Sequence, residues 1–266
     1  MKVYYYQDEL NDDFAGTNIS QKPVRAEHKY ISKNPLWNFC AFVLYRFIAT
    51  PLVFLFQKIA FGERYVNKKA FRGYRKTGYF LYGNHTNGVG DAFSPSMITF
   101  PKKAYMIASP DAVSIPVVST IVKMLGGMPV PTELRALKSL KDAVNKRARK
   151  KNCIVIYPAA HIWPYYTKIR PFRDASFKYP AENNKPVFCF TKTYQKPRFG
   201  KLPKTTVYID GPFFPDMSLG VKENQKMLRD KVYQTMCERA KNSTHQYAAY
   251  VKLDNGTVGA EQNTAS

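Results

Sequence analysis

The sequence predicts an α/β fold, a single domain with a mostly parallel central sheet flanked by helices and preceded by a hydrophobic helical segment of membrane-anchor character. Three observations predict it. Short apolar runs rich in β-branched and aromatic residues recur at 79–82 (YFLY), 104–109, 154–157 (IVIY), 186–190 (PVFCF) and 206–209 (TVYI). Helical patterns alternate with them, which is the signature of strand–helix–strand units and parallel pairing. The length, 266 residues, fits one large domain with appendages.

In chain order, residues 1–34 are polar, with Asp8, Glu9, Asp12 and Asp13 clustered, and read as a loosely packed extension. No signal peptide is visible in the polar, acidic start. Residues 35–62 differ sharply, because only Arg46 and Lys58 are charged between 35 and 61. As one helix, 36–61 would be roughly 39 Å long, enough to cross a bilayer. Pro51 divides it into pieces of about fifteen and eleven residues, each too short to span alone. A kinked spanning helix, an interfacial hairpin and a buried helix pair all fit this pattern. Basic residues flank both ends (Lys29 and Lys33 before; Arg64, Lys68, Lys69, Arg72, Arg75 and Lys76 after), whereas a spanning helix is usually basic on one side. This favours a hairpin or kinked helix dipping into one leaflet, with Arg46 and Lys58 snorkelling.

The domain proper is expected over 63–245. The strand at 79–82 ends in Gly83-Asn84, and His85 follows directly. Asp91 is a good N-cap for a helix over 91–100. A histidine at a strand's carboxyl end, with a carboxylate opening the next helix, stands where open α/β sheets place their chemistry. A polar strand-to-helix turn fits the loop equally well. Residues 114–125 read as a buried helix and 134–151 as an amphipathic helix with a cationic face. The strand at 154–157 leads into the loop AAHIWPYYTKIRPFR, and 219–240 reads as a long closing helix, followed by a tail over 246–266.

With 41 Lys and Arg against 19 Asp and Glu, the formal net charge is +22. That excess implies an anionic partner: nucleic acid, an acidic membrane surface or a phosphorylated substrate. Nucleic-acid binding offers no reason for the apolar block, so the expected partner is an anionic phospholipid surface and no nucleic acid. The four cysteines, Cys40, Cys153, Cys189 and Cys237, lack metal-ligand spacing and read as free thiols, so no metal is expected.

Taken together, these blocks resemble the phospholipid/glycerol acyltransferase family, best known for its 1-acylglycerol-3-phosphate acyltransferases. The resemblance covers roughly 66–239. The blocks that carry it are Asn84-His85 with Asp91; the turn 126–131 followed by Arg135; Tyr157-Pro158-Ala159-Ala160-His161 with Pro171-Phe172-Arg173; and Lys185-Pro186-Val187. It implies a membrane-associated enzyme at the cytoplasmic face that moves an acyl group to a lysophospholipid hydroxyl. The donor would be an acyl-coenzyme A or acyl-carrier-protein thioester, with no bound cofactor. His85 would act as general base oriented by Asp91, and a neutral imidazole at pH 7 suits that role. His161 is a rival base in the second site loop. Arg135, Arg170, Arg173 and Lys103 are the expected cations for the acceptor phosphate, with Lys102 and Lys168 nearby.

Two departures stand out. One extra residue separates His85 from Asp91, and Gly88 and Gly90 would absorb it as a bulge-like turn. Ala159 occupies the position of the family's glutamate, and no Gly-Thr-Arg follows. Other residues then carry that role, or the chain is a catalytically impaired lipid-binding homologue. The expected acceptor is 1-acylglycerol 3-phosphate, giving phosphatidic acid, with glycerol 3-phosphate or another lysolipid as the alternative.

Overall fold

The computed structural model describes residues 1–16, 22–25, 27–114, 116–197 and 200–253. It begins with a short strand, β1 (Lys2–Tyr6), and then a single continuous helix over Pro35–Ala60. That helix is α1 (Pro35–Val43), a π-helical segment (Leu44–Ala49) and α2 (Thr50–Ala60). The Asn34 carboxamide caps it, accepting from the N–H of Leu36 (2.9 Å) and Trp37 (3.2 Å). No hairpin forms at Pro51. The π register just before the proline absorbs the missing donor: the Thr50 N–H reaches Tyr45 O, and Thr50 Oγ1 donates to the same carbonyl at 2.7 Å. Only one stripe faces the protein (Ala41, Tyr45, Val53 and Gln57, all spaced by multiples of four), while Leu36, Phe39, Phe47, Leu52, Phe54 and Ile59 are exposed.

The central sheet follows: β2 (Arg64–Val66), β3 (Tyr79–Gly83), α3 (Gly88–Ile98), β4 (Ala104–Ala108), α4 (Pro116–Leu125), β5 (Gly127–Pro129), α5 (Leu137–Arg149), β6 (Cys153–Ile156), α6 (Lys178–Asn183), β7 (Val187–Gln195), β8 (Lys204–Phe213) and α7 (Val221–Ala240). Its strand order is β2-β8-β7-β3-β6-β4-β5, and every pair is parallel except β7–β8. The expected α/β fold with a mostly parallel sheet is the fold observed. β3 and its neighbours are buried on both faces, so their runs are continuously apolar rather than alternating. Phe80, Tyr82, Ile154, Val187 and Cys189 pack one way, against α5 and α7. Tyr79, Leu81, Val155, Phe188 and Phe190 pack the other way, against Phe71 and Ile98. The Arg239 guanidinium clamps Asp210 with both Nε and Nη2, fastening α7 to β8.

Two expectations change. The first residues are not loose: β1 pairs in parallel with β9 (Ala248–Lys252), so the 246–266 tail begins with ordered strand, while 254–266 lie outside the described residues. The tyrosines at 4 and 250, in register, stack at 5.0 Å, and apolar burial holds a segment whose sequence looks polar. The helix α4 is not buried, since Val118 and Ile121 are exposed beside the apolar helix. The cysteines match the expectation: all four are free, and Cys153 and Cys189 in the strands are buried.

Gly83 ends β3 where a Cβ would sit 2.1 Å from the ring of fully buried Phe190. Gly83→Ala is therefore expected to destabilise the fold by about 1–3 kcal/mol, read as a lower denaturant midpoint at unchanged slope.

Candidate active site

The parallel register of β3 with β6 and β7 delivers His85 to the carboxyl edge of the sheet, at its centre. Asn84 fixes the exit of β3: its side chain donates to Lys192 O (3.0 Å) and accepts from Lys192 N (2.8 Å), extending the ladder with β7 by side chain. The helix α3 starts earlier than the sequence implies. Asn87, not Asp91, is its N-cap, with Oδ1 accepting from Gly90 N at 2.9 Å. A Cβ on Gly90 would lie 2.8 Å from that carboxamide. Gly88 and Gly90 therefore make no bulge; they form the first helical turn, where Gly90 leaves room for the cap.

Asp91 turns back from that first turn. Its Oδ2 accepts from Thr86 N (2.8 Å) and Asn87 N (2.9 Å) and meets His85 Nδ1 at 2.7 Å. A carboxylate acceptor requires the proton on Nδ1, so a neutral imidazole carries its lone pair on Nε2. The ring stacks on Tyr157 at 4.4 Å, and the Tyr157 hydroxyl donates to Asp91 O at 2.6 Å. The His85 side chain is 17% exposed and that of Asp91 is fully buried.

The other carboxylate oxygen faces Lys192. Lys192 Nζ lies 2.7 Å from Asp91 Oδ1 and 3.5 Å from Glu63 Oε1, with all three groups buried. Ser94 Oγ accepts from the same ammonium (2.6 Å) and donates to Glu63 Oε1 (2.8 Å), and the Tyr65 hydroxyl donates to Glu63 Oε2 (2.6 Å). Gln57 Nε2, from the apolar helix, donates to Gly90 O and Ser94 Oγ, both at 2.9 Å. Burial pushes the Asp91 carboxyl up, but the Lys192 ammonium and the His85 hydrogen bond outweigh it and hold the group below its usual range. Burial likewise lowers Lys192, and Asp91 with Glu63 more than reverses this, so its value is raised. Formally, two carboxylates and one ammonium leave one negative charge beside His85, which an imidazolium neutralises.

Lys192, Glu63, Ser94 and Gln57 escaped the sequence reading, and Tyr157 entered it only as part of a motif block. One signal was available for Lys192: strand alternation puts it on the face of Phe188 and Phe190, a position that burial should forbid to a lysine.

The second loop lies against the first, with Trp163 N donating to His85 O (3.1 Å) and Tyr165 N to Thr86 O (2.7 Å). His85, Ala159, Lys168 and Arg170 line one pocket that has room for roughly one water molecule. Ala160 is left-handed at φ 61°. His161 does not join His85: its Nδ1 lies 3.4 Å from Asp13 Oδ2, in the N-terminal segment. Arg170 is buried, donating to Glu9 O through Nε (2.8 Å) and Nη2 (2.6 Å) and to His161 O through Nη1 (2.9 Å). Its fork thus binds backbone carbonyls, fastening the acidic segment to the loop. Trp163 is wholly buried among Tyr6, Phe14 and Tyr250. Arg135 and Arg173 are exposed. Lys103 precedes β4, which puts it at the amino edge of the sheet, opposite His85. Among the described residues no cluster of His, Cys, Asp or Glu has metal-binding geometry.

No protein-family model matches this chain, and no curated protein matches it in sequence. A solved structure does match in three dimensions: the 1-acyl-sn-glycerophosphate (LPA) acyltransferase PlsC from Thermotoga maritima, with a TM-score of 0.55 at 19% identity, over 79% of this chain and 89% of that one. The chain has the fold of that acyltransferase. The fold implied by the motif order is therefore present, at an identity too low to carry function by itself.

Lys192→Met would leave two buried carboxylates without their cation and is expected to cost about 3–5 kcal/mol, measured by urea unfolding. Because the Asp91 carboxyl is depressed on folding, its stabilisation is present above the unfolded value of about 3.9 and is lost as pH falls through the folded value. The stability gap between the natural chain and Asp91→Asn should accordingly hold from neutral pH to about pH 5 and narrow in urea melts taken below pH ~4. Ala160→Gly should gain roughly 0.5–1 kcal/mol by relieving the left-handed alanine.

Proposed function

We propose that this protein is a membrane-associated acyltransferase. It transfers a fatty acyl group from an acyl-coenzyme A or acyl-carrier-protein thioester to the hydroxyl of a lysophospholipid, with 1-acylglycerol 3-phosphate as the assigned acceptor. The observation that carries the reading is the 2.7 Å contact of His85 Nδ1 with Asp91 Oδ2 at the carboxyl edge of β3, which leaves Nε2 free of hydrogen bonds among the described residues. A base so oriented takes the acceptor's hydroxyl proton as the oxygen attacks the thioester carbonyl, and returns it to the departing thiolate. No nucleophilic serine or cysteine stands beside the imidazole in this reading, so transfer is direct.

The charge count of the buried cluster supports the same role. The imidazolium formed during attack faces a net negative partner set rather than a neutral one, which favours the transition state. Of the proposed phosphate cations, Lys168 is the exposed one that lines the pocket with His85. Arg173 and Arg135 stand as further phosphate cations at the same edge of the sheet. Acceptor entry requires the 158–172 loop to move, because the pocket is narrow. The largely exposed apolar helix supports membrane association, and the basic residues at 29, 33 and 64–76 support the cytoplasmic leaflet.

A second reading, an impaired homologue that binds lipid, is favoured by Ala159 alone. It lines the His85 pocket where the family implies a carboxylate.

Acyl transfer to lysophosphatidate by detergent-purified protein tests both readings. His85→Ala is expected to lower kcat by about a hundredfold to ten-thousandfold with the fold intact by circular dichroism; near-normal turnover would end the proposal. Lys168→Ala should raise the acceptor KM with little change in kcat. An inactive natural chain that gains turnover in Ala159→Glu would assign the impaired reading instead.

A further inference from the structure

Among the described residues, a cavity far larger than the His85 pocket lies elsewhere. It lies at the opposite, amino edge of the sheet, beneath the start of the apolar helix, and encloses about 950 Å³. Its place follows from its lining: Lys103 and Tyr105 at the start of β4, Gly127 at the start of β5, and Arg147 in the last turn of α5 before β6. Seven lysines and arginines line it and, among the described residues, no aspartate or glutamate does.

The two deepest cations lack counterions. Lys103 Nζ donates to Met124 O at 2.7 Å and lies over the rings of Tyr45 and Tyr105. The Arg147 guanidinium sits 3.9 Å over the Tyr105 ring and donates to its hydroxyl through Nη1 at 2.7 Å, while its buried Nε has no partner. Neither forms an ion pair among the described residues. Burial, with Arg147 alongside, lowers Lys103 to about 8, the response of a cation that lacks an anion. Lys123 and Lys150 stand exposed at the rim. The remaining wall is apolar: Trp37 and Phe42 of α1 line the cavity, and Phe42 continues onto the exposed face that carries Leu36 and Phe39.

A cationic floor that opens along an apolar helix matches an amphiphile with a phosphate head and hydrocarbon chains. We propose that this cavity is a second lipid site, separate from the His85 pocket, which holds the phosphate headgroup of an anionic phospholipid on Lys103 and Arg147 while its acyl chains lie along α1. It goes beyond general attraction of a +22 chain to acidic membranes, because it assigns affinity to two half-buried cations.

The test uses the full chain in vesicle flotation, with phosphatidylcholine vesicles that do or do not contain a minor fraction of phosphatidate. Lys103→Gln/Arg147→Gln is expected to lose roughly tenfold or more of the affinity for phosphatidate vesicles. Lys222→Gln/Lys226→Gln, which removes equal charge from the exposed face of α7, should change it less than about twofold. Equal losses in the two variants would assign binding to diffuse charge and overturn the site. Should the cavity double variant not fold, Lys123→Gln/Lys150→Gln at the rim provides the same comparison, with an expected loss of roughly threefold. Thermal melts in detergent separate the sources of phosphate. Short-chain phosphatidate should raise Tm more in the natural chain than in the cavity variant, which keeps only the His85 site. An equal rise with inorganic phosphate would remove the lipid from the assignment.

Discussion

The contact on which the site depends is the buried ammonium of Lys192 between Asp91 and Glu63. A fully desolvated carboxylate would ordinarily rise in pKa and lose its charge, and a protonated Asp91 could not hold an imidazole in the required tautomer. Lys192 keeps it ionised. The same nitrogen joins pieces of chain far apart in sequence: β7, which carries the lysine; α3, with Asp91 and Ser94; and the turn before β2, with Glu63. Such a network is worth more as a positioning frame than as net stability, because the desolvation of three charges offsets most of their attraction.

Through Gln57 the frame extends into the apolar helix. Its side chain is among the few buried ones on that helix, and it hydrogen-bonds the first turn of α3. The helix therefore runs from the cationic cavity at the amino edge, past Tyr45 and its hydrogen bond with Ala104 N, to the carboxyl edge that carries His85. A surface that engages its exposed face meets both edges of the sheet. That geometry relates the anchor to the acyl-transfer reading more directly than hydrophobicity alone.

Much of the fold was legible because its signals are local. Continuous apolar runs marked the buried parallel strands, and His85 following β3 marked the carboxyl edge. Whatever depended on distant partners was not legible. Asp91 looked like an N-cap because its chemistry fits one, yet Asn87 holds that position and frees Asp91 to face His85 and Lys192. Arg170 looked like a phosphate fork, and no local feature shows that Glu9 and His161 carbonyls occupy it. Lys103 was grouped with the site because the loop it borders, after Asp91, was expected near the carboxyl edge of the sheet. A crossover from the carboxyl edge back to the amino edge lies between them, and residue spacing does not display it. The polar first residues carried a tyrosine run whose meaning lay in residues 248–252.

The pairing of β1 with β9 also bears on the order of assembly. Residues 2–6 are made nearly a whole domain before their strand partner and before Tyr250, which stacks on Trp163. Contacts of such separation close late, after the central sheet and its helices have formed. The loop that faces His85 is thus bedded only once both ends of the described chain have met. Until then the aromatic side chains of residues 4–14 are exposed to other hydrophobic surfaces, a membrane included, and a chain truncated before residue 248 would keep its central sheet while leaving that loop unsupported.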